Sequence, residues 1–98
     1  MAVYMLFLKH ETFDEALLAD YVAKGLPTFE RSEGTALAFN GEHTVLEGDP
    51  LDGIVVLRFP SKDDAMQWFD SPEYQEAAKI RKQAARFSVM IVEGLEEQ

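Results

Sequence analysis

The 98-residue chain has no cysteine, which removes disulfides, thiolate metal sites and thiol nucleophiles together. A reducing compartment suits such a chain, and the cytoplasm is the expected location. Basic residues are scarce, nine Lys and Arg against eighteen Asp and Glu, for a formal net charge of -9. That surface repels phosphate backbones and anionic headgroups over a Debye length of ~8 Å, so neither nucleic acid nor a membrane is an expected partner. Solubility is the plain role of the acidity. Long hydrophobic runs are also missing. The apolar stretch Ala2 to Leu8 is too short to span a bilayer and lacks the basic flank and cleavage site of a leader, so it reads as a strand. There is no glycine-rich dinucleotide or phosphate loop, no nucleophile elbow and no zinc spacing. Asp49 and Asp52 lack the alternating ligand spacing of a calcium loop. Neither a metal nor a cofactor is expected.

What remains is an ordinary globular composition, 47% apolar and 28% charged, at a length that supports one domain over residues 1–98. Val3 to Lys9 is apolar in both alternating sets and predicts a strand covered on both faces. Thr12 and Asp14 are overlapping N-cap candidates for a helix carrying Leu18, Tyr21, Val22, Leu26 and Phe29 as one stripe. Pro27 predicts a kink or break near residues 24–26. Thr35 to Phe39 reads as a strand before an Asn40-Gly41 turn, His43 to Glu47 as resumed extended structure, and Ile54 to Phe59 as a strand. Ser61 starts a helix; Ser71 with Pro72 and Glu73 starts another, running to about Ala85. Phe87 to Glu93 is the last strand.

The order strand, helix, strand, strand, helix, strand is the ferredoxin-like split βαβ of an α+β domain, a four-stranded antiparallel sheet with helices on one face. The other face would then show apolar side chains from three strands, more than a monomer ordinarily exposes. A second copy is the expected cover.

Phe59-Pro60-Ser61, Ala65, Trp68, Ser71-Pro72-Glu73-Tyr74, Arg81 and Val92-Glu93-Gly94, with Tyr21, Pro27, Gly34 and Glu47-Gly48, resemble the pattern of the bacterial family "domain of unknown function 1330" from Tyr4 to Gly94. The resemblance implies a dimeric α+β barrel, in which two ferredoxin-like protomers face their sheets together. It implies no particular reaction. The chain departs from the family pattern at Glu33-Gly34-Thr35 and at Arg58, where the family usually has glutamate.

Two groups are candidate sites, each with a structural alternative. Counting outward from the Gly48 to Gly53 connector pairs Glu47 with Ile54, Val45 with Val56 and His43 with Arg58, which gathers His43, Glu47 and Arg58 on the open sheet face. A proton carrier, an orienting carboxylate and an anion-fixing guanidinium suit acid/base chemistry; the alternative is a polar network that satisfies itself. The second group, Tyr21, Trp68, Tyr74 and Arg81, rests on the resemblance: aromatic rings and a guanidinium suit a planar or carboxylate ligand. Its alternative is helix packing. Two functions stay open, a dimer that binds a small organic molecule between sheet and helices and works as a cofactor-free enzyme, or a non-catalytic dimerisation domain without pocket chemistry.

Overall fold

The computed structural model describes residues 1–95, so the last three residues of the expected 1–98 domain lie outside the described residues. The elements are β1 (Val3–Thr12), α1 (Glu15–Glu30), β2 (Thr35–Phe39), β3 (Gly53–Phe59), α2 (Lys62–Phe69), α3 (Pro72–Ala84) and β4 (Ala85–Glu93). The strands lie in the order β2-β3-β1-β4, every neighbour antiparallel. This is the ferredoxin-like sheet that the element order predicts.

Alternation along the strands separates the two faces. Val3, Met5 and Phe7 of β1 and Leu57 and Phe59 of β3 are buried in one core with Ala65, Trp68, Tyr74 and Ala77 of the helices. Tyr4, Leu6 and Leu8 point the other way with Ile54, Val56 and Arg58, since Tyr4 pairs with Arg58, Leu6 with Val56 and Leu8 with Ile54. On β4, Met90 and Val92 continue this open face and stay substantially exposed.

Local chemistry explains the helix starts. The Asp14 carboxylate accepts from the Leu17 amide at 3.0 Å, so Asp14 is the α1 cap and Thr12 stays in β1. Ser61 and Ser71 cap α2 and α3, with Pro72 in the first turn of α3. Pro27 does not divide α1, which is continuous from Glu15 to Glu30. The proline lies in the last turn, so its missing amide removes one intrahelical bond, the one to the Ala23 carbonyl, with only three helical residues beyond it; the Thr28 hydroxyl donates to the Gly25 carbonyl at 2.6 Å.

The extended segment expected over residues 43–47 is absent. β3 pairs instead with Thr35 to Phe39, Thr35 facing Arg58 and Phe39 facing Val55. Asn40 ends that ladder by donating its amide to the Ile54 carbonyl at 2.8 Å while adopting a left-handed φ of 53°. Residues 40–52 form a wide loop with Gly48 at φ 110°.

Gly34 sets how closely the chain enters β2. A Cβ there would stand 2.5 Å from Phe29 Cε1 and 2.7 Å from Phe59 Cε1, two rings in edge contact with each other. Gly34→Ala is therefore expected to lower the unfolding free energy by about 1–3 kcal/mol, as overpacking does. Urea denaturation checks it; an unchanged midpoint would mean that the rings yield freely.

Candidate functional site

The apolar stripe of α1 is not pressed onto the sheet. Only Gly25 of this helix is buried, against Ala77 of α3, while Leu18, Tyr21, Val22 and Phe29 are half-buried and Leu26 is exposed. β2 is exposed throughout. Between them lies a cavity of about 450 Å³, walled by that stripe, by Phe7, Val55 and Leu57 of the sheet, and by Ala36 and Phe39 of β2. Small-molecule sites typically have ~300–1,000 Å³ and a mainly apolar lining with few polar groups.

Three of the four residues expected from the family pattern, Tyr21, Trp68 and Tyr74, line this cavity. The two phenol oxygens are 2.8 Å apart and share one hydrogen bond. Burial, reinforced by Tyr74, pushes the Tyr21 phenol well above its ordinary value of 10.0, and the nearby Arg81 charge only partly opposes it. Burial also raises Tyr74, against the hydrogen bond from Tyr21 and the charge of Arg81. Neither phenol is a base at neutral pH; the pair is a neutral donor and acceptor.

This has a pH consequence with a defined sign. An unfolded tyrosine loses its proton near 10, whereas the folded pair keeps its protons above that, so the unfolded chain binds fewer protons in alkali. The stabilisation is complete below pH 10 and declines as pH rises above it. The thermal midpoint should fall more steeply above pH 10 in the wild type than in Tyr21→Phe; parallel curves would refute the assignment.

Trp68 serves packing and cavity wall together. Its indole N–H donates to Thr28 Oγ1 at 3.0 Å, and its ring stacks on Phe59 at 5.8 Å and lies 4.2 Å from Tyr74. Arg81, the fourth expected residue, stands behind the wall. Its guanidinium carbon is 5.7 Å from the ring centre of Phe7 and 5.4 Å from that of Phe87, both cavity-lining residues. Arg81 is 5% exposed, and its Nε has no hydrogen-bond partner among the described residues.

The strand pairing that grouped His43, Glu47 and Arg58 does not exist. His43 lies in the 40–52 loop, where its Nε2–H donates to the Leu51 carbonyl at 2.8 Å; a carbonyl only accepts, so Nε2 carries the proton. Glu47 is exposed beside Gly48, and Arg58 is on the open sheet face between Tyr4 and Thr35. The count started from a tight turn at Gly48 to Gly53, whereas the ladder closes at Asn40.

Lys9 is the residue that sequence reasoning missed. It continues the inward set Val3, Met5, Phe7, is only 8% exposed and lines the cavity. Its strand partner on β3 is Gly53, which has no side chain to occupy the space. A Cβ on Gly53 would meet Lys9 Cε at 3.0 Å and Asn40 Oδ1 at 2.5 Å, so both side chains converge over this glycine. The readable signal was a lysine in register with the core side of an alternating strand.

Among the described residues no cluster of His, Asp or Glu is arranged to hold a metal ion. Over residues 2–95 the chain matches the family described as domain of unknown function (DUF1330). The chain belongs to this family. No functionally curated protein matches it. Similar solved structures share its fold. RPA0582 from Rhodopseudomonas palustris, a protein of unknown function, is 23% identical with a TM-score of 0.77 over 98% of this chain and 84% of that one. A dimeric protein of unknown function and ferredoxin-like fold from Bacteroides fragilis is 13% identical with a TM-score of 0.65, covering 95% and 96%. SnoaB from Streptomyces nogalater, a cofactor-independent oxygenase, is 13% identical with a TM-score of 0.63, covering 98% and 95%. At these identities the likeness is one of fold, that of the ferredoxin-like dimeric α+β barrels.

Proposed function

We propose that this chain is a homodimer that binds a small organic molecule in the cavity between α1 and the sheet. The observation that carries the reading is the cavity itself: an apolar helix stripe held off an apolar sheet face, with a protonated tyrosine pair inside it. An unfilled apolar space forfeits dispersion contacts, and a purely structural dimerisation domain offers no reason to keep one. The apolar open face, and the dimeric state of a structural neighbour, support pairing through the sheet. Conversion of the bound molecule without a cofactor belongs to the same reading, with the tyrosine pair donating to a carbonyl or hydroxyl of the occupant; the cofactor-independent oxygenase of similar fold supports its feasibility. A cytoplasmic location fits the lack of cysteine, and no described helix is long and apolar enough to cross a membrane.

A thermal-shift screen of small aromatic and alicyclic compounds tests the binding. A ligand at 100 times its Kd adds about 2.7 kcal/mol to the folded state, a readily visible rise of the midpoint. Ala36→Trp, which puts an indole into the cavity lining from an exposed strand, should abolish that rise while leaving the unliganded midpoint near that of the wild type. Absence of any shift, or a shift indifferent to Ala36→Trp, would overturn the reading.

A further inference from the structure

Among the described residues of this acidic protein the two buried charged side chains, Lys9 and Arg81, are both cations. Neither has an ion pair to a carboxylate within 4.0 Å among the described residues, where the pairs Lys79 with Glu76 and Arg86 with Glu11 lie on the surface. Glu15 and Glu30 reach the cavity, but from exposed positions on α1. Removing a cation from water is unfavourable by several kcal/mol unless opposite charge or hydrogen bonds replace its hydration. Arg81 obtains part of that from the faces of Phe7 and Phe87, and still leaves Nε without an acceptor. Lys9 has no such ring contact. Its Cε and the Asn40 Oδ1 meet over Gly53, and both residues line the cavity.

We propose that the molecule bound in this cavity is an organic anion, an aromatic or otherwise apolar carboxylate. Its charged group meets Lys9, at the part of the cavity that Asn40 also lines. Its body lies among Tyr21, Val22, Phe29 and Trp68, and Arg81 adds a favourable potential from behind Phe7 and Phe87. The inference deepens the binding reading and rests on it. Charge selection follows from geometry: a carboxylate supplies the opposite charge that the fold withholds from Lys9, and a neutral isostere of equal size does not. The net charge of -9 does not oppose this, because a partner within hydrogen-bond distance in a low-dielectric cavity outweighs surface charges screened beyond ~8 Å.

The test is calorimetric titration of the full chain with benzoate, cinnamate and 2-naphthoate, each compared with its primary amide. At least one acid should bind ten-fold or more tightly than its amide. Lys9→Met, which keeps the stem and removes the charge, should bring acid and amide to equal affinity and raise the unliganded thermal midpoint; Lys9→Arg should keep the preference. Amides that bind as well as acids would overturn the anion inference and leave the cavity reading standing. A preference that survives in Lys9→Met would overturn the role of Lys9. If neither acids nor amides bind, and the broader screen also fails, the cavity reading falls with the inference. The wild-type comparison of acid with amide decides the ligand class even if Lys9→Met folds poorly.

Discussion

Replacing Trp68 with alanine is expected to lower the unfolding free energy by about 3–5 kcal/mol, the range for truncating a large aromatic residue in a core. The reason lies in the number of elements this one ring joins. It stacks on Phe59 of β3, meets Phe29 of α1 at 5.4 Å and Tyr74 of α3 at 4.2 Å, and anchors Thr28 through its indole N–H. Alanine would extend the existing cavity into the middle of this cluster. The neighbouring rings cannot collapse into the gap without losing their contacts with one another. Urea denaturation followed by circular dichroism measures the change. A loss below about 1 kcal/mol would show that Trp68 is cavity wall without being a core anchor.

Leu6→Asp should convert the protein from dimer to monomer. Leu6 lies mid-strand on β1, opposite Val56 of β3 and Met90 of β4, which places it at the centre of the open face. A stable pairing through this face would bury at least about 1,200 Å². A carboxylate introduced on each protomer would then meet apolar side chains with no partner, a desolvation that outweighs about 2.8 kcal/mol and weakens association by a hundred-fold or more. Light scattering at micromolar protein should give the dimer mass for the wild type and the protomer mass for the variant. Both should keep the same far-ultraviolet dichroism, since the substituted face is not the one packed on the helices. A monomeric wild type would end the proposal that two sheets face each other.

The candidate site was legible in part. The family pattern picked out Tyr21, Trp68, Tyr74 and Arg81, and the structure brings them together: three on the cavity wall and the fourth behind it. Two of them share a hydrogen bond, although Tyr21 and Tyr74 are 53 residues apart in sequence. Lys9 escaped because a lysine at a strand end ordinarily marks the solvent edge. Only the missing side chain at its partner Gly53 gives that stem a place inside, and that pairing is a tertiary fact.

The sequence by itself determined the order of elements, the helix caps at Ser61 and Ser71, and which side of β3 meets the helices. These follow from short-range rules: a serine hydroxyl reaching an amide three residues on, and side chains alternating with a period of two. Tertiary structure alone decided the hairpin register, because two turn signals, Asn40-Gly41 and Gly48 to Gly53, competed for the same strand. The observed ladder pairs β3 with Thr35 to Phe39 and closes at Asn40, with Leu57 and Phe59 on the core side. Tertiary structure also decided that α1 stands away from the sheet and that His43 and Arg58 do not pair. α1 packs on α3 with Gly25 facing Ala77, and no local pattern encodes the distance left between its apolar stripe and the strands.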